Sequence, residues 1–121
     1  MERDRVLIID DDPDLRELVS LALADVKLTC VEAGDCLEAL PLLERDKAHL
    51  RAVLLDYFMP GPPPAACAKA ILERIDAGVP VVLVSAAVDI AERAAELDLT
   101  RFLSKPFDMA QLRREVLGEA S

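Results

Sequence analysis

The sequence predicts a doubly wound α/β domain, an open parallel sheet with helices packed on both faces. Two observations predict it. Four short apolar runs do not alternate with polar residues: VLII at 6–9, AVLL at 52–55, VPVVLV at 79–84 and RFL at 101–103. Unbroken β-branched and leucine runs of this length are what strands buried on both faces look like. Between them lie segments whose apolar residues recur at i, i+3 and i+4, the spacing of a helix with one buried face. Strand and helix alternating in this way fold by right-handed crossovers into a single parallel sheet. With 121 residues the chain has room for one such domain and a real core.

The elements follow in order. After the run at 6–9, Asp12 and Pro13 form a helix start, an N-capping acid followed by proline at the first helical position. Leu15, Leu18, Val19, Ala22, Leu23 and Val26 then share one face, which is expected to be buried. Residues 26–33, VKLTCVEA, alternate at Val26, Leu28 and Cys30, as a half-exposed edge strand does. Asp35 and Glu38 suit the cap of a second helix, in which Pro41 is expected to cause a kink or a later start. The segments AACAKAILERI, DIAERAAEL and DMAQLRREVL supply the remaining three helices, the last with Met109, Leu112 and Val116 on one side.

Composition narrows the function. The chain is 53% hydrophobic and 31% charged, which describes an ordinary globular protein. Its acids outnumber its bases 23 to 14, a net charge of −9, so direct binding to nucleic acid is not expected. The start turns acidic before any long apolar stretch develops, and no run approaches the roughly 20 residues that span a bilayer. The expectation is a cytoplasmic protein with no membrane partner. Cys30, Cys36 and Cys67 are odd in number and contain no CxxC pair, so neither a disulfide nor a zinc site is expected. Each reads as a small core hydrophobe.

In doubly wound sheets, ligands bind outside the carboxyl ends of the strands. Here those ends carry Asp10 and Asp11, then Asp56, then Ser85, then Lys105. Each alone has an ordinary reading: an acid before a helix caps it, a serine after a strand turns the chain, a lysine is solvated. The fold, however, brings all four ends to one edge. Three carboxylates crowded there repel, which favours protonation or a shared cation. Magnesium suits such a site, because it is a hard ion that takes oxygen ligands and is completed by phosphate. A carboxylate can also act as nucleophile toward phosphorus. Such transfer needs mainly positioning and charge neutralisation, which the Lys105 ammonium and Ser85 hydroxyl suit.

Four segments, VLIIDDDPDLRELV, AVLLDYFMPG, VVLVSA and FLSKPF, resemble the successive motifs of the response-regulator receiver domain of two-component signalling, the CheY-like family. The resemblance covers essentially the whole chain. It implies a flavodoxin-like five-stranded parallel sheet of order 2-1-3-4-5 flanked by five helices. The length of 121 residues leads to the expectation of a single receiver domain over 1–121 without an output domain. The resemblance implies that Asp56 is the phosphoacceptor, taking a phosphoryl group from the phosphohistidine of a sensor histidine kinase or phosphotransfer protein. Mg²⁺ falls to Asp10, Asp11, Asp56 and the backbone carbonyl of Phe58. Lys105 pairs with the phosphoryl group, Ser85 is the switch hydroxyl, and Phe102 is the rotating switch aromatic. The Lys105–Pro106 bond is one that is usually cis in the family. Output passes through the α4–β5–α5 face to a downstream protein target, from a monomer or weak homodimer. The chain is then no enzyme beyond catalysing its own phosphorylation and a slow autodephosphorylation, since neither Phe58 nor Ala87 orients a water molecule.

The match departs from the family pattern at Pro62, Pro63 and Pro64, which read as a loop stiffened against unfolded-state entropy or as a partner-specific rim. Two other readings compete. Asp10, Asp12, Ser85 and Lys105 loosely mimic a haloacid-dehalogenase-like phosphatase, although only Asp108 follows the lysine closely. A binding-only pseudo-receiver is the other, against which stands the presence of every chemical position. His49, the one histidine, has no acid, serine or cysteine motif around it, and no glycine-rich nucleotide loop occurs.

Overall fold

The computed structural model describes residues 2–118. Five strands and five helices alternate: β1 (Arg5–Ile9), α1 (Pro13–Ala24), β2 (Thr29–Ala33), α2 (Cys36–Asp46), β3 (Leu50–Asp56), α3 (Pro64–Arg74), β4 (Val81–Ser85), α4 (Ile90–Glu96), β5 (Arg101–Ser104) and α5 (Met109–Leu117). The strands pair in the order β2-β1-β3-β4-β5, all parallel.

The side-chain period of two explains why the strand runs are unbroken. Leu7, Ile9, Val53, Leu55, Val81 and Leu83 point to one face, where Leu43 of α2, Ile71 of α3 and Ala94 of α4 cover them. Val6, Ile8, Ala52, Leu54, Val82 and Val84 point to the other, against Val19 and Leu23 of α1 and Leu112 and Val116 of α5. The central strands therefore have no solvent side on which to place a polar residue. Charged residues can enter only at the strand ends.

Helix starts follow the sequence closely. The Asp12 carboxylate accepts from the N–H groups of Asp14 and Leu15. Asp35 caps α2 by accepting from Glu38 N–H at 2.8 Å. Asp108 and Gln111 exchange side-chain and backbone bonds in a capping box at α5. Part of the proline run acquires a role here. Pro63 occupies the N-cap of α3 and Pro64 its first turn, where a missing N–H loses nothing.

Several expectations are corrected. Leu18 is 48% exposed and Met109 43% exposed, so neither lies on a buried face. Leu18 falls on the flank of a stripe made by Val19, Ala22 and Leu23, and Met109 is the first residue of its helix. β2 starts at Thr29 rather than at 26, because Lys27 takes a left-handed φ of 63° to end the turn after α1. Pro41 neither shortens α2 nor delays it. It has no N–H to offer the Leu37 carbonyl, but both residues are exposed, so water can take the place of that bond.

The cysteine expectation is overturned for two of the three. Cys36 at the start of α2 and Cys67 in α3 form a disulfide, with Cα atoms 6.0 Å apart. The two helices lie side by side on one face of the sheet, and each presents its cysteine inward. Cys30 remains a free, partly buried thiol. Burial, and then the nearby Glu32 charge, push its pKa up to about 12, so it is inert as a nucleophile.

Among the described residues, one buried charge lies away from the strand ends. Asp46, only 2% exposed, is gripped by Arg45 at 2.7 Å and Arg5 at 2.6 Å. The hydrogen bond from Arg45, reinforced by both guanidinium charges, outweighs burial and holds its carboxyl below the ordinary carboxylate value. This pair of arginines joins the end of α2 to the start of β1.

Candidate acidic site at the strand ends

The parallel register delivers the predicted residues to one edge. Asp10 follows β1, Asp56 closes β3, Ser85 closes β4 and Lys105 follows β5. Each of Asp10, Asp11 and Asp56 offers a carboxylate oxygen, and these three oxygens lie within 4.8 Å of one another. Asp10 and Asp56 are buried while Asp11 is exposed, so the cluster has a dry floor and a wet mouth.

Each carboxylate is positioned locally. Asp10 Oδ1 accepts the Asp12 N–H at 2.9 Å, and Asp10 Oδ2 accepts from Lys105 Nζ at 3.0 Å. The Asp10 carbonyl takes a 2.6 Å bond from Arg16, whose Nε reaches Glu32. Asp56 Oδ1 receives Lys105 Nζ at 3.4 Å. Asp12 is taken up by its capping role and stays outside the cluster. Ser85 is 1% exposed; its Oγ accepts the Ala87 N–H at 3.1 Å, and its carbonyl accepts the Lys105 N–H at 2.9 Å. The hydroxyl proton thus stays available for donation. The Lys105–Pro106 bond is cis. Phe102 stands on β5 beside Leu83 of β4 and is 39% exposed, while the Phe58 ring is 57% exposed at the rim.

The electrostatics reflect this crowding. Burial first, and then the Asp10 charge, push the Asp56 carboxyl up to about 6, although Lys105 pulls the other way. Burial alone would lower the Lys105 ammonium. The hydrogen bond to Asp10 and the charges of Asp56 and Asp10 outweigh it and hold the group above the usual lysine value. One ammonium facing three carboxylates leaves net negative charge in a largely desolvated place. Oxygen donors only, two of them buried, fit a hard divalent cation and no soft one.

The other singled-out residues are not gathered here. His49 sits at the opposite edge of the sheet, before β3, with Nδ1 3.3 Å from the Glu2 carbonyl. The Asp108 carboxylate caps α5. Sequence reasoning missed Arg93 of α4, whose guanidinium lies over the rings of Tyr57 and Phe58 immediately after Asp56. The only available signal was its i, i+4 spacing from Asp89.

The family described as the response regulator receiver domain matches residues 6–117 of this chain. The chain belongs to the response regulator receiver family. This receiver is similar to the response regulator protein PilR of Pseudomonas aeruginosa, 34% identical over 118 residues that make up 96% of the chain and 26% of that protein. It is also similar to the DNA-binding response regulator MtrA of Mycolicibacterium smegmatis, 30% identical over 112 residues, 91% of the chain and 47% of MtrA. The receiver therefore spans about a quarter to a half of the length of such curated relatives. Among solved structures, chemotaxis protein CheY4 of Vibrio cholerae superimposes with a TM-score of 0.78 at 24% identity, covering 91% of this chain and 92% of that one. At that identity the likeness concerns the fold. Among the described residues, no helix is long and apolar enough to cross a membrane.

Proposed function

We propose that this receiver accepts a phosphoryl group on Asp56 from the phosphohistidine of a sensor kinase or phosphotransfer protein, and passes the signal on by protein contact. One observation carries the reading: three carboxylates and one ammonium converge at the carboxyl edge of the sheet, with Asp56 at its buried centre. In the transfer, an Asp56 carboxylate oxygen attacks phosphorus as the P–N bond breaks. A P–O bond forms, and the departing imidazole nitrogen keeps the electron pair and takes up a proton. Asp10, Asp11, Asp56 and the Phe58 carbonyl would hold Mg²⁺, which would supply positive charge for the phosphoryl oxygens. Lys105 moves from carboxylate to phosphoryl oxygen, and the free Ser85 proton is donated to another. The β4–α4 loop follows Ser85, Phe102 turns inward, and the α4–β5–α5 face changes shape.

A phosphohistidine donor and a downstream target are both proteins, and the acidic surface argues against direct contact of this domain with nucleic acid. A groove of about 370 Å³ beside Lys105, lined by Leu15, Leu18, Pro106 and Phe107, suits an apolar helix of the donor and gives the exposed Leu18 a use. Such a relay operates in the cytoplasm.

Incubating the protein with acetyl phosphate and Mg²⁺ and weighing it intact tests the reading. One added phosphoryl mass is expected in the wild type, and none in Asp56→Ala or in the presence of a chelator. An adduct that survives Asp56→Ala, or its absence from the wild type, would overturn it. Hydrolysis of the acyl phosphate should be slow, because neither the Phe58 nor the Ala87 side chain can hydrogen-bond a water molecule. Polar replacements, Phe58→Gln and Ala87→Asn, are expected to shorten its half-life several-fold. Unchanged decay in both variants would reject that explanation.

A further inference from the structure

Arg93 does more than form a helical ion pair. From the last turn of the short helix α4 its Nε donates to Asp89 Oδ1 at 2.8 Å. Its guanidinium carbon lies 4.7 Å from the centroid of the Tyr57 ring and 5.6 Å from that of Phe58. Those two rings meet edge to face, with centroids 4.9 Å apart at 76°. An exposed i, i+4 pair alone contributes little. Here, however, the paired cation also covers two aromatic faces, within the range of cation–π attraction. The contact joins two different loops. Tyr57 and Phe58 follow Asp56 directly, and the Tyr57 N–H extends the pairing of β3 to the Val84 carbonyl at 3.3 Å. Asp89 ends the loop that follows Ser85, and Arg93 lies one helical turn beyond it in α4.

We infer that Arg93 is a positioning residue that clamps the β3–α3 and β4–α4 loops together in their resting arrangement, and so sets the threshold for the switch at Asp56. The inference rests on the phosphoacceptor reading and deepens it. A β4–α4 loop drawn toward a phosphoryl group on Asp56 carries the start of α4 with it. Arg93 must then slide off the Tyr57 and Phe58 rings. A contact made only in the resting state opposes the switch by its full strength, and removing it favours whatever ligand selects the switched state.

The chain has one tyrosine and no tryptophan, so tyrosine emission reports on Tyr57 alone. The test compares wild type with Arg93→Met, Arg93→Lys and Asp89→Asn, using beryllofluoride with Mg²⁺ as the acyl-phosphate analogue and calorimetry for affinity. Arg93→Met keeps the aliphatic bulk and loses the cation. It is expected to bind the analogue about three- to tenfold more tightly than wild type. Its free-state Tyr57 emission should shift toward that of the saturated wild type. Arg93→Lys should restore most of the wild-type affinity, and Asp89→Asn should give a smaller gain. Asp89→Asn also serves should Arg93→Met melt well below wild type. Equal or weaker binding in a folded Arg93→Met, or in Asp89→Asn in its place, overturns the clamp. If the wild type takes a phosphoryl group from acetyl phosphate while these variants bind the analogue unchanged, the clamp alone fails. If the wild type neither binds the analogue nor gains an adduct, the phosphoacceptor reading falls and the clamp with it.

Discussion

Replacing Asp56 with asparagine is expected to raise the melting temperature of the metal-free protein, by an amount that depends on pH. The Asp56 carboxyl is held near 6 in the folded chain, against an ordinary value of 3.8. Between those two values the folded state binds more protons than the unfolded one, so the contribution of this group to stability falls as pH rises from about 4 to about 6. Above that window the penalty is constant, roughly 1–2 kcal/mol once screening by water at the mouth of the site is allowed for. Asparagine removes the penalty and leaves Lys105 its shorter bond to Asp10. The variant should therefore melt about 5 °C above wild type at pH 7, and the gap should narrow toward zero near pH 4. Saturating Mg²⁺ should reverse the order, since a ligand that binds the folded state stabilises the protein that binds it better. A gap that is constant from pH 4 to pH 7, or an unchanged order with Mg²⁺, would contradict the electrostatics of the cluster.

Breaking the Cys36–Cys67 bridge is the second large effect. The bridge closes a loop with a sequence separation of 31 residues. Freeing that loop in the unfolded chain is expected to lower stability by about 3–4 kcal/mol, or on the order of 10–15 °C in melting temperature. Thermal melts with and without a strong reductant measure the change, and Cys30→Ala should leave it intact. Thiol titration of the unfolded protein gives an independent readout: one reactive thiol without reductant, three with it. Three thiols in the unreduced protein would show the bridge to be absent.

The parts of the fold that were legible in the sequence were those written locally. A strand buried on both faces must be apolar at every position, so VLII and VVLV announced themselves, and Asp12–Pro13 marked a helix start by its own chemistry. The strand-end residues were legible because a parallel sheet puts all carboxyl ends on one side. Knowing the strands was enough to gather Asp10, Asp56, Ser85 and Lys105. What escaped depended on contacts between distant segments. The Cys36–Cys67 pairing follows from the way α2 and α3 lie together, which no spacing encodes. Leu18 has the helical phase of a core residue, yet it faces the groove with Pro106 and Phe107 across the sequence. Lys27 adopts a backbone conformation that its side chain does not advertise. Arg93 reads as half of an ordinary ion pair until the ring of Tyr57 is placed beneath it.

α4 is held to the sheet by only two of its own buried side chains, Ile90 and Ala94, whereas α2 sets three, Cys36, Ala39 and Leu43, into the core. A tilt of α4 would therefore uncover little apolar surface and stay on one side of the sheet, because the layer under α1 and α5 shares none of those contacts. The domain has in effect a soft panel on a stiff frame. Sequence changes on the outward side of α4 can alter the surface of that panel while the frame that shapes the acidic edge stays as it is.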